Sequence, residues 1–173
     1  MITYNPAFDL YHGIFRMAHI LATMEEGDWM EVDKVRIWDF YMLFPDKVHT
    51  ITIRRDEDDL REYRSHFLKK ENNPYEFKGD NRKLFEWIKP VQMSALNSLV
   101  SCGILDKEKY EHGRASVANH KSLQAYLDKV GEISLRERNV LAFMGSLSRF
   151  MPMTGEYGLK ARTKLMESKY DAE

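Results

Sequence analysis

Asn81–Ala118 reads NRKLFEWIKPVQMSALNSLVSCGILDKEKYEHGRASVA, and the interpretation of this stretch decides the fold. It is predicted to form two short helices, a stop at Gly103 and a small hairpin. Within Val91–Cys102, Met93, Leu96, Leu99 and Val100 recur at helical spacing on one side. Ser94, Asn97, Ser98 and Ser101 take the other side, so this helix has a dry face and a wet one. Leu96 is therefore expected to be buried. Cys102–Gly103 supplies a left-handed stop. Ile104 and Leu105 continue the core, and Glu111-His112-Gly113-Arg114 turns into the alternating Ala115–Ala118. Helix, helix, hairpin is the plan of a winged helix. The predicted class is mainly α with a small antiparallel β-sheet (α+β).

Working outward toward the N-terminus, Val48–Ile53 (VHTITI) is β-branched and alternating, and reads as the strand that completes a three-strand sheet with the hairpin. Before it, Val32–Phe44 is an amphipathic helix with Val32, Val35, Ile37, Trp38, Tyr41, Met42 and Phe44 inward, ended by Pro45. Glu25–Asp28 is a polar turn. The first helix is expected over residues 5–24, opened by Asn5 as cap and Pro6 at its first position. Its apolar residues cover most of the circumference, leaving His12, Arg16, His19 and Thr23 as the only polar stripe, so it should be buried. His12 and His19 lie two turns apart, about 10 Å of rise, too far for one metal ion.

Between the expected strand and the organising stretch, Asp56-Glu57-Asp58-Asp59 leads into a charged helix, Leu60–Lys70. Four successive carboxylates at a helix start point in different directions and favour the N-terminal dipole, so they read as a solvated face and not a metal cluster. Glu71–Asp80 has the composition of a loop. Beyond Ala118, a helix is expected from about Lys121 to Val130, broken by Gly131. Ser134 and Glu137 form a capping box for a helix running through Met151, with Val140, Phe143, Met144, Leu147, Phe150 and Met151 on one apolar stripe. The last stretch, Gly158–Lys169, is the most basic.

A single domain of 173 residues is expected, with a winged-helix core at 32–118, C-terminal helices over 120–151 and a basic tail at 158–169. Lys and Arg number 26 against 27 Asp and Glu, a net charge of -1 that weighs against broad, non-specific nucleic-acid binding. Cys102 is the single cysteine, and with no signal peptide visible a reducing cytoplasm fits best. No membrane span is expected, since Asp9, His12, Arg16 and His19 interrupt the apolar run of the first helix.

Signatures of phosphate loops, paired-cysteine zinc sites, metalloproteases and serine hydrolases are all missing from the sequence, and no cofactor or catalytic residue is predicted. One pattern, Pro45-Asp46 followed by Glu76-Phe77-Lys78, matches the Pro-Asp…Glu-x-Lys arrangement of a nuclease class. Its context is wrong: Asn72-Asn73-Pro74 and Gly79-Asp80 flank a segment that should be a buried strand. The helix Val91–Cys102 contains no Lys or Arg, so its face (Ser94, Asn97, Ser98 and Ser101, with Gln92 beside it) lacks the charge that supplies most DNA affinity. Protein contact is favoured over base readout. Arg82, Lys83, Lys89 and Lys107 are the candidates for touching a DNA backbone.

Tyr4-Asn5-Pro6-Ala-Phe-Asp9, Asp39-Phe40-Tyr41-Met-Leu-Phe44-Pro45, Pro90-Val-Gln92, Gly113-Arg114 and Gly158-Leu-Lys160-Ala-Arg162 stand as landmarks along the chain. With them the chain resembles the middle component of bacterial ABC-three-component systems, the small subunit of Lamassu-like defence operons. The resemblance implies a non-catalytic subunit between an ATPase similar to the structural-maintenance-of-chromosomes (SMC) proteins and an effector, often a nuclease, acting against phage or plasmids. It makes Arg114 and the tail residues Lys160, Arg162 and Lys164 the candidates for partner contact. The rival expectation is a free-standing winged-helix transcription regulator.

Overall fold

The computed structural model describes residues 5–71 and 77–167. Tyr4, Glu76 and Lys169 lie outside the described residues. The chain divides into two compact units, Met1–Asp39 with Trp87–Ile133, and Phe40–Glu86 with Ser134–Glu173.

In the first unit, Asn5 caps only a 3-10 turn, Pro6–Phe8, accepting from the Ala7 amide at 3.0 Å. Asp9 then caps α1, Leu10–Leu21, accepting from the His12 amide at 2.9 Å. The expected single helix over 5–24 is thus two pieces, each with its own cap. Met17, Ala18, Ile20 and Leu21 are buried, but the entry of α1 is not: Tyr11 is 80% exposed. Arg16, expected on a polar stripe, is buried. β1 (Met30–Glu31) leads directly into α2, Val32–Leu43, which buries its whole circumference over Lys34–Met42, charged residues included.

α4 corrects the expected helix pair: Asn81–Ser101 is one helix with Pro90 inside it. A proline there forfeits one backbone hydrogen bond and crowds the preceding turn. Burial on both sides of it favours continuity, since Phe85 and Ile88 before it and Gln92, Ala95 and Leu96 after it are all at most 1% exposed. Gly13 of α1 meets this helix closely. A Cβ at Gly13 would lie 3.3 Å from the Ala95 Cβ and 3.4 Å from a Val91 methyl, so glycine permits the approach. Gly103, at a φ of 77°, ends the helix as expected.

The expected hairpin contains a helix. Asp106 caps α5, Lys107–Glu111, through the Lys109 amide, and β2 (Arg114–Ala115) follows. β2 pairs antiparallel with β1, Met30 opposite Ala115 and Glu31 opposite Arg114. On its other side the Asp106 amide donates to the Ser116 carbonyl and the Ala118 amide to the Ile104 carbonyl, with a bridge between Leu105 and Val117. α6 (His120–Val130) closes the unit and ends at Gly131.

In the second unit, Val48–Ile53 is not a strand. Pro45–Thr50 is a 3-10 helix, so the sheet has two strands and not three among the described residues. Pro45 sets the first dihedral, the Lys47 amide bonds to the Phe44 carbonyl and the Thr50 hydroxyl to the Lys47 carbonyl. Val48 and Ile51, three residues apart, are the buried pair. α3 (Asp58–Phe67) and α7 (Leu135–Ser148) contact one another, and Tyr63 stacks on Phe143 with ring centroids 6.4 Å apart. The Ser134–Glu137 capping box forms as expected. Phe150, expected on the inward stripe, lies beyond the end of α7 and is 94% exposed. The presumed tail folds back as α8, Leu159–Thr163, with Leu159 and Leu165 buried.

Candidate functional site

The most concentrated chemistry lies inside the first unit, where α1, α2 and α4 bring four buried polar side chains together. Arg16 Nε donates to Asp39 Oδ1 at 2.6 Å, and its Nη1 reaches the Pro6 carbonyl at 3.4 Å. Gln92 Nε2 donates to Asp39 Oδ2 at 2.9 Å and to the Arg36 carbonyl at 3.0 Å. Arg36 Nε donates to Gln92 Oε1 at 3.1 Å, and its Nη1 to Asp33 Oδ1 at 3.0 Å. Arg16, Arg36, Asp39 and Gln92 are each at most 3% exposed. Buried charge is tolerated only when paired and hydrogen-bonded, and here both carboxylate oxygens of Asp39 have donors. A group this enclosed offers nothing to a substrate; it fixes three helices against one another.

α4 presents Ser94, Asn97 and Ser101 outward, as its periodicity predicts, but Gln92, expected beside them, faces inward. Ser98 and Ser101 turn their hydroxyls onto the carbonyls of Ser94 and Asn97, and the Tyr110 hydroxyl donates to Asn97 Oδ1 at 2.9 Å. This face is already occupied by its own helix and by α5. Arg114 is exposed and lies over the Trp29 ring at 4.3 Å, a cation–π contact. Lys107 is exposed, 3.9 Å from Glu111, and Lys89 is exposed as well. The remaining candidates for DNA contact, Arg82 and Lys83, belong to the second unit, where Arg82 pairs with Glu167 at 2.5 Å.

The tail candidates separate. Arg162, expected to be exposed, is buried and donates from Nη1 to Glu57 Oε2 at 2.7 Å and from Nε to the Tyr157 carbonyl at 3.1 Å. Its own carbonyl receives the Thr52 amide at 3.0 Å. The Arg162 hydrogen bond, helped by the Arg54 amide, holds the Glu57 carboxyl below the ordinary glutamate range. Glu57 was thus no idle member of the acidic run, although Asp58 is exposed as expected. Lys160 is half-buried, and Lys164 is exposed in a left-handed conformation.

Of the nuclease-like letters, Glu76 lies outside the described residues. Asp46 accepts from Arg136 Nη2 at 2.5 Å and from the Glu71 amide at 3.0 Å, and Lys78 is exposed. Among the described residues no group of three or more His, Cys, Asp or Glu is arranged to hold a metal, and no helix is long and apolar enough to cross a membrane.

Several landmark residues of the sequence take part in these internal contacts: Pro6, Asp39 and Gln92 in the buried network, Arg162 in the α8 clasp, and Gly113, whose carbonyl accepts from the Val32 amide at 2.9 Å. Sequence reasoning missed Arg16 and Glu57, because their partners lie far along the chain. Comparison with curated proteins and with solved structures gave no match. Comparison with family profiles matched residues 2–171 to the family described as "ABC-three component (ABC-3C) system Middle Component 5". The chain belongs to the Middle Component 5 family of ABC-three-component systems.

Proposed function

We propose that this protein is a non-catalytic adaptor that stands between an SMC-like ABC ATPase and an effector, often a nuclease, in a Lamassu-like cytoplasmic complex defending bacteria against phage or plasmids. The observation that carries the reading is the family match across 2–171. The use of landmark residues in internal contacts agrees with it, since a scaffold needs its motif for shape. We read the first unit as a winged-helix core on elements other than those expected. Its sheet is β1 with β2, extended by the Leu105–Val117 bridge, and α2 and α4 are taken as the helix pair.

The test is co-expression with the candidate ATPase and effector of its three-component system, tagging the ATPase. Co-elution of all three supports the adaptor. The regulator reading gains if the chain purifies alone as a dimer and shifts a specific operator DNA at physiological salt.

A further inference from the structure

We draw no further inference here: the strongest candidate, the surface groove along α3 lined by Asp59, Glu62, Tyr63, His66 and Phe67, carries nothing, because Lys69 and Lys70 stand exposed beyond the end of α3 against those two carboxylates and nothing in the structure shows what covers it.

Discussion

Asp39 and Phe40 are neighbours on α2, yet they serve two differently built centres. Asp39, in the first unit, is fully buried among Arg16 and Gln92, with Arg36 one link further on. Phe40, in the second, is as deeply buried among rings, with Phe44 at 5.2 Å and Phe85 at 5.8 Å between centroids. A centre made of rings tolerates smaller rings at a graded cost, because apolar burial and dispersion scale with the atoms kept. A centre made of charges does not degrade in steps. Removing one partner strands the others in a medium that cannot solvate them.

The largest effect should follow from breaking the first centre at its hub. Asp39→Ala strands the Arg16 guanidinium and should cost about 3–5 kcal/mol in urea unfolding. A loss under about 1 kcal/mol would mean that water reaches the site and that the two centres are alike. Leu96→Ala, in the apolar part of the same unit, should cost about 2–5 kcal/mol. A melting temperature that barely moves would show that the neighbours of this wholly buried side chain close the space it leaves without cost.

Smaller again is the α8 clasp in the second unit. The Glu57 carboxyl titrates lower in the folded chain than when unfolded, so its contribution is complete above the ordinary carboxylate range, about pH 4. It is lost as the pH falls through the lowered folded value. Glu57→Gln should therefore destabilise at neutral pH by about 1–2 kcal/mol, reduced because Glu57 is partly exposed, and the gap from wild type should narrow in acid. A gap independent of pH would show that the Arg162 contact is not charge-assisted. Smallest is Asn97→Ser on the outer face of α4, expected within about 0.5 kcal/mol of wild type.

Local signals made α2, α6, the capping box, the Gly103 stop and the burial of Leu96 legible, since each is written within a few residues. The second centre was partly legible too, through Phe44 on the inward face expected of Val32–Phe44. The polar centre was not. Arg16 reads as a solvent residue on any periodicity, and only Asp39 and Gln92, contributed by α2 and α4, make it interior. The alternation of Val48–Ile53 misled because a 3-10 helix buries every third residue, and Val48 and Ile51 fit either pattern when the run is short. α5 was signalled by Asp106 standing three residues before Lys109, the spacing of an N-cap, inside a stretch that looked like a turn. Among the candidate contact residues, exposure was legible at Arg114 and Lys107 and misjudged at Arg162, whose partner Glu57 lies outside any local window.

On the adaptor reading, the residues shared between the sequence landmarks and the buried network build the scaffold and are not themselves a working site. The most direct measurement replaces the pair Arg16→Met/Asp39→Leu and asks both for stability and for assembly with the other components of the system, against wild type. Apolar residues of similar size remove both charges together, so the double variant should recover most of what Asp39→Ala alone loses. A folded double variant that still joins the components as wild type does is the predicted result. A double variant as stable as wild type that no longer assembles would contradict the claim and place the function in the buried charges themselves.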